Sequence, residues 1–555
     1  WQEKDGKKLP VEVSYKLIGK NRYNFEVAKA DPSLPIVIDP ILQATYLGGR
    51  GDDIAIALAI HPTTGEVYVA GWTNSKDFPQ TAGGAQRRCN NCVSDPENPS
   101  GDVFVARLNK ELTQILQSTY LGGRYSDYAD ALAIHPQTGD VYVAGMTDSE
   151  DFPKTTGGAQ ANKSGSSDVF VARLNKELTQ ILQSTYLGGK GADEANTLTI
   201  HPKTGEVYVA GGTGSTDFPK TTGGAQANGS GGPNAFVARL NKELTRILQS
   251  TYLGGSDSDS ASALVIHPKT GEVYVAGWTK SKDFPRTAGG VQANSGGYDD
   301  AFVARLNKEL TQILQSTYLG GSDSDSASAL VIHPKTGEVY VAGVTYSKNF
   351  PKTTGGAQAA HRGGLDDAFV ARLNKELTQI LQSTYLGGSG SDSASALAIH
   401  PTTGEVYVAG GTGSTDFPKT TGGAQAAHRG GLDDAFVARL NKELTQILQS
   451  TYLGGSRNDN ARALAIHPKT GEVYVAGWTK SKDFPRTAGG VQANSGGYDD
   501  AFVARLTADL AAGRGLGGGC GCPMTSSTSS KASLWNILVW LSFPAFVVAR
   551  RIRRR

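Results

Sequence analysis

Short apolar runs broken by glycine- and proline-marked turns recur in a fixed order along the chain. From Ala261, the run Ala263-Leu264-Val265-Ile266 is closed by His267-Pro268, and Lys269-Thr270-Gly271 reads as a tight turn. Val273-Tyr274-Val275-Ala276-Gly277-Trp278-Thr279 is rich in β-branched and aromatic residues and predicts a strand. A long polar loop follows, with Asp283-Phe284-Pro285 and Gly289-Gly290. Ala301-Phe302-Val303-Ala304-Arg305-Leu306 predicts a further strand. Asn307-Lys308-Glu309 then turns the chain into Ile313-Leu314-Gln315-Ser316-Thr317-Tyr318-Leu319, which Gly320-Gly321 ends. Leu310, Ile313 and Leu314 have helical spacing, but the Ser-Thr-Tyr run and the Gly-Gly stop favour a strand.

This order is a repeat. Thr-Tyr-Leu-Gly-Gly begins at Thr45, Thr119, Thr185, Thr251, Thr317, Thr384 and Thr451, at spacings of 74, 66, 66, 66, 67 and 67 residues. Four strands per unit, apolar on both faces, suit a sheet packed between two neighbours, as in a propeller blade. The small Ala261 and Ala263 suit crowding near a central axis. The third strand occurs seven times, and its last copy, ending at Leu506, has no fourth strand after it. At the other end, Ile41-Leu42-Gln43-Ala44-Thr45-Tyr46-Leu47 is a fourth strand with no blade before it. The two orphans complete one another, so residues 41–47 are expected to close the ring and remove its free edges. The fold class expected is all-β: a seven-bladed β-propeller of four-stranded blades over 41–506, closed by this N-terminal strand, plus a C-terminal transmembrane helix.

Composition agrees with turn-rich β structure: 70 glycines in 555 residues, with 19% charged residues. The formal charge of +2 gives no net field to attract nucleic acid. The chain starts at Trp1 without a charged and apolar leader, which reads as a fragment or a processed product.

The repeated elements Ser-Thr-Tyr-Leu-Gly-Gly, Gly-Glu-Val-Tyr-Val-Ala-Gly, Asp-Phe-Pro and Asp-Ala-Phe-Val-Ala-Arg-Leu resemble the bacterial SBBP family of seven-bladed β-propeller repeat proteins. The resemblance spans about 41–506. It implies a propeller in a surface or secreted protein, and it implies that residues 1–40 are the end of a preceding β-rich domain. One departure stands out. Where the family has an Asp-led turn before the second strand, this chain has His-Pro, at His61, His135, His201, His267, His333, His400 and His467.

Several recurring residues carry candidate chemistry. An Asp follows the second Gly of each Thr-Tyr-Leu-Gly-Gly by four residues: Asp53, Asp127, Asp193, Asp259, Asp325, Asp392 and Asp459. These would ring the channel entrance on the face of the long loops, and a carboxylate ring suits Ca²⁺ or a basic partner. The competing reading, which is favoured, is an Asp accepting backbone N–H bonds in a turn. The seven His residues would ring the opposite end, where turn packing is favoured over metal binding or a pH switch. The Arg of each third strand (Arg107, Arg173, Arg239, Arg305, Arg372, Arg439, Arg505) is expected to pair with a carboxylate of its own or the next blade. His361 and His428 read as solvated loop residues. Cys89 and Cys92 lack the second ligand pair of a zinc site, and a local disulfide is expected. No Gly-x-Ser-x-Gly, HExxH or P-loop motif supports catalysis.

After Leu506 the composition changes. A Gly/Ser/Cys-rich linker (507–531) contains Cys520 and Cys522. The uncharged interval 532–549 would span about 27 Å as a helix, close to a hydrocarbon core of about 30 Å. The arginines that follow fit a cytoplasmic end. The pattern is similar to bacterial C-terminal sorting tails, which implies processing or lipidation at Cys520 or Cys522. The sequence therefore predicts an exported, surface-anchored, non-enzymatic scaffold or binding module. Its expected partner is a glycan or a cell-surface protein, with membrane contact through the tail. The alternatives are a subunit of a surface layer or filament, and an enzyme whose blade-specific polar residues converge at the channel mouth.

Overall fold

The computed structural model describes residues 2–4, 7–9, 12–19, 22–28, 31, 37–38, 40–93, 100–418, 422–511 and 513–514. It divides into two compact units, Ile41–Leu510 and a smaller one of residues 1–40 with 511–555. In the smaller unit Gln2–Lys4 pairs with Lys7–Leu9, Glu12–Gly19 with Arg22–Ala28, and Val37–Ile38 with Gly513–Arg514, all antiparallel. The expected helix over 532–549, Cys520 and Cys522 lie outside the described residues. Among the described residues no helix is long and apolar enough to cross a membrane.

The larger unit is a seven-bladed β-propeller. Each blade is a four-stranded antiparallel sheet, and in blades 1 to 6 the strands follow chain order from the innermost outward. In blade 4 these strands are Asp259–Ile266, Val273–Thr279, Asp300–Leu306 and Ile313–Leu319. Blade 7 takes its first three strands from Asp459–Ile466, Val473–Thr479 and Asp500–Leu506, and its fourth is Ile41–Leu47. Phe502 stands opposite Tyr46 and Val503 opposite Thr45. The segment 41–47 is thus the outer strand of the last blade.

The middle strands are apolar on both faces because both faces are covered. Tyr68, Ala70, Val103 and Leu121 of blade 1 pack against Ala129, Val141, Val143 and Phe170 of blade 2. The same arrangement recurs at every junction. At the seam, Tyr474, Ala476 and Val503 meet Val67, Val69 and Phe104. A tyrosine of each second strand also ties its blade to the next. Tyr68 Oη donates to Lys176 O at 2.7 Å, and at the seam Tyr474 Oη donates to Lys110 O at 2.7 Å.

The helical spacing around Leu310 has a local cause. Leu310 belongs to the turn, with φ of 63°, and only Ile313 begins the strand. Asn307 shapes the turn, its Oδ1 accepting from Thr311 N at 2.8 Å and Gln312 N at 3.0 Å. A left-handed leucine is unfavourable. Here its side chain is fully buried at the blade junction, and that burial offsets the backbone cost. The turn Leu510 after blade 7 is likewise buried, so the propeller ends at Leu510 rather than at 506.

The long loop does not stay on one face. In blade 1 its first half descends the outer edge, where Ser118 N donates to Gln80 O and Tyr120 N to Gln86 O. Ala85 N then reaches Leu178 O of blade 2. The loop covers the exposed edge of the fourth strand before returning to the face where the strand begins, which protects that edge from pairing with another chain.

Candidate functional site

The seven recurring Asp residues do not line the channel mouth. Each is buried at a blade junction and held by its own blade. Asp127 Oδ2 accepts from Gly123 N at 2.8 Å and from Ser149 Oγ at 3.1 Å. Across a glycine from it stands the first residue of the preceding third strand. A Cβ on Gly122 would lie 2.6 Å from Asp127 Oδ2 and 2.9 Å from Asp102 Oδ1, so only glycine fits there. Burial pushes Asp102 and Asp127 up to about 7 each. Blade 3 has Asn234 at the position of Asp102. Among the described residues no group of three or more His, Cys, Asp or Glu side chains is arranged to hold a metal ion. The turn reading of Asp53, Asp127, Asp193, Asp259, Asp325, Asp392 and Asp459 is the one that this geometry matches.

The His residues likewise stay with their turns. His267 Nδ1 accepts from Lys269 N at 3.3 Å and Thr270 N at 3.2 Å. Its ring lies 6.4 Å from Tyr274, and its Nε2 abuts the turn glycine of the next blade, Gly337. Burial lowers the basicity of His267. Each third-strand Arg pairs within its own blade. Arg107 makes a two-pronged contact with Glu66, at 3.0 and 2.8 Å, and Arg173 pairs with Asp140.

His361 and His428 correct the sequence reading. The His361 side chain is only 3% exposed and stands edge-on to Tyr385 at 5.8 Å, and His428 meets Tyr452 in the same way at 6.0 Å. The loop return folds both rings under itself, because a tyrosine of the fourth strand offers each an apolar face. Cys89 and Cys92 are joined by a disulfide, with Cys92 buried behind Thr73 and Ser75.

What remains unshared between blades collects at the inner end of the long-loop face. The first strands read DIAIALAI, DYADALAI, DEANTLTI, DSASALVI, DSASALVI, DSASALAI and DNARALAI. Their second and fourth positions diverge most, while the first, third, sixth and eighth are constant. The fourth is the bulge residue of every blade: the register with the second strand slips between Ala129 and Ala131, leaving Asp130 unpaired, and likewise at Arg462. A bulge re-aims its side chain. These strands pair on one side only and stand next to one another around the ring, the seventh beside the first, so their free edges face the axis.

Blades 4, 5 and 6 carry only serines at the two divergent positions. Blade 1 carries Ile54 and Ile56, blade 2 Tyr128 and Asp130, blade 3 Glu194 and Asn196, and blade 7 Asn460 and Arg462. Tyr128 stacks on Trp72 of blade 1 at 5.8 Å and 11°. Asn196 Nδ2 bridges to Ala261 O at 2.9 Å. Glu194 and Arg462 keep contact with solvent, while the surrounding strands desolvate their charged ends. The dense walls, and then the charge of Glu194, push Asp130 up to about 7, while Arg462, two blades away, pulls it down. Arg462 is itself lowered by burial against the opposing effect of Asp130. Asp130 and Arg462 thus act on one another across the axis, yet no ion pair or hydrogen bond joins Asp130 or Glu194 to Arg462 among the described residues.

Residues 1–41 match the model of a domain of unknown function, DUF7948. No curated protein matches the chain. Two solved structures of Sqt1 from Chaetomium thermophilum are similar to it. One is 13% identical, with a TM-score of 0.39, covering 79% of this chain and 83% of that one. The other is 12% identical, with a TM-score of 0.41, covering 84% and 99%.

The axial set escaped the sequence reading. Blade 1, where an insertion with Arg87, Arg88, Cys89 and Cys92 most visibly breaks the repeat, draws attention away from it. The available signal was simpler: aligning the seven first strands exposes the two divergent positions.

Proposed function

We propose that this propeller is a non-enzymatic binding module of an exported, surface-anchored protein of the SBBP type, and that the face carrying the long-loop returns engages glycans. The observation that carries this reading is the placement of exposed large apolar side chains. Among the described residues, Tyr125 and Tyr346 lie in the turns just after a fourth and a second strand, Val93, Tyr298, Leu365, Leu432 and Tyr498 lie in the loop returns that lead into third strands, and Leu42 and Leu116 are exposed on outer strands. Soluble surfaces seldom concentrate aromatic and aliphatic side chains on one face without a partner.

Blades 4 and 7 sharpen the ligand class. Residues 280–306 and 480–506 are identical. Each copy has an exposed tyrosine and a lysine over a tryptophan, and in blade 7 the lysine also covers the tyrosine. Tyr298 is 84% exposed, and Lys280 sits 5.9 Å over Trp278. Tyr498 is 62% exposed, and Lys480 lies 4.8 Å over it, 5.7 Å over Trp478 and 3.6 Å from Asp499. An open aromatic plane flanked by a lysine and carboxylates suits the apolar face and hydroxyls of a sugar. Two sites of the same sequence on one rigid ring suit a repetitive polymer, where weak contacts add as avidity.

The apolar interval 532–549, with arginines after it, supports anchoring at the C-terminal end, and Cys520 or Cys522 supports processing there. A screen of the chain against glycans and cell-wall polymers, with and without Ca²⁺, tests the reading. Binding to a repetitive polysaccharide is expected, and no binding to any polymer counts against it. Intact-mass measurement of the mature protein tests the tail, where an unmodified terminus at Arg555 points to a permanent anchor.

A further inference from the structure

The near-identity of the blades provides an internal control for function. The second strands read Val-Tyr-Val-Ala-Gly-x-Thr in all seven blades, and the third strands keep Phe-Val-Ala-Arg-Leu throughout. Packing therefore asks for the same residues seven times. The second and fourth positions of the first strand are released from that requirement, since serine satisfies them in blades 4, 5 and 6. The variable residue of each second strand belongs to the same region. It stands opposite the second position, as Trp72 opposite Ile54, and touches the next blade, as Trp72 does Tyr128. Where it is Gly411, an added Cβ would lie 2.3 Å from Asn460 Nδ2. Blades 7, 1, 2 and 3 are consecutive round the ring, so their large and charged side chains form one crescent facing the small serines of the other three.

The crescent has an ordered chemistry. Arg462 stands on one flank, Asp130 and Glu194 on the other, and Ile54 and Ile56 of blade 1 lie between them. Asn460 Oδ1, beside Arg462 on the same strand, is buried without a hydrogen-bond partner. The opposite charges share the axial space but do not close on each other. A group that reaches both flanks would complete them, and the serine side leaves room for it.

We propose that the axial mouth binds a small α-amino acid with an apolar side chain, its carboxylate on Arg462, its ammonium group on Asp130 and Glu194, and its side chain against Ile54 and Ile56. Charge-assisted contacts at both ends set the orientation. The apolar wall selects against free polar amino acids. This site adjoins Trp478, which stands opposite Asn460, but it uses other groups than the tyrosine-bearing loops and does not rest on glycan binding.

The test uses the full chain. A thermal-shift panel of the common amino acids is followed by calorimetric titration of the best one, its amide and its N-acetyl form. Saturable binding of an apolar amino acid is expected, weakened by about tenfold or more in the amide and in the N-acetyl form, each of which removes one charge. Arg462→Ser should weaken the amino acid by a similar factor and leave the amide unchanged. Glu194→Ser should leave the N-acetyl form unchanged. Serine already occupies these positions in blades 4, 5 and 6, so both variants should fold, with melting temperatures near that of the parent. Absence of saturable binding by every amino acid at ~10 mM, or undiminished affinity in Arg462→Ser, overturns the proposal.

Discussion

Asp102 and its counterpart Asn234 show what the blade asks of a single residue. Both begin a third strand, and both are buried beside the glycine that precedes the next first strand. Asn234 Nδ2 donates to Gly232 O at 2.7 Å, so an uncharged side chain is sufficient there. Burial raises Asp102 to about 7 in the folded chain, while the unfolded chain keeps the ordinary carboxylate value near 4. Between about pH 4 and 7 the folded state therefore holds the extra proton. This group's contribution is full at the acid end and is lost as pH rises through that window. Asp102→Asn removes the slope. Thermal melts should show parity with the parent near pH 4.5 and a higher melting temperature for the variant at pH 8. Equal destabilisation at both pH values would show that the carboxylate itself is required.

The recurrence of Asp, His and Arg was plain in the sequence, and so was the turn role of Asp. Its partners were not, because beside the nearby glycine N–H they are the Thr and Ser at the end of the second strand, as Thr73 and Ser75 are for Asp53. The packing of His361 and His428 is likewise hidden in the sequence. A polar loop sequence does not reveal that Tyr385 and Tyr452 lie beneath it.

At the scale of elements, strands were legible wherever β-branched and aromatic residues cluster, and turns wherever Gly or His-Pro punctuates them. Two features were hidden. The first-strand bulge leaves the period-two pattern unchanged in composition while re-aiming Asp130 and Arg462. The long loop spends half its length as a cover for the fourth strand, held by backbone bonds that no side chain announces. Contacts between blades are also elementary units of stability. Tyr208 Oη donates to Lys308 O at 2.8 Å, just as Tyr474 does to Lys110 O at the seam. Tyr208→Phe and Tyr474→Phe should each cost roughly 1 kcal/mol in denaturant unfolding, the usual net value of one such bond. Losses near zero at both positions would mean that water replaces the tyrosine hydroxyl freely.

For the whole molecule, the count of strands in the sequence was enough to place 41–47 in the last blade, since an open ring would leave Asp500–Leu506 with a bare edge. Deleting 41–47 removes Tyr46, whose Oη donates to Ser481 O at 2.7 Å and accepts from Phe484 N at 3.1 Å. It also opens the junction on which blade 1 packs. The melting temperature should fall sharply, and an unchanged one would contradict ring closure. The ring in turn separates two kinds of residue. Chemistry repeated in every blade is consumed in holding the blades, and chemistry confined to a few blades is left free at the axis and on the loop face.

The most direct measurement of that claim is polysaccharide binding by the parent, Tyr298→Ala, Tyr498→Ala and the double variant, compared at equal folded concentration. Two sites of identical sequence predict that each single change loses avidity by about a hundredfold while weak binding persists, and that the double change abolishes binding. A double variant that binds as tightly as the parent would contradict the account.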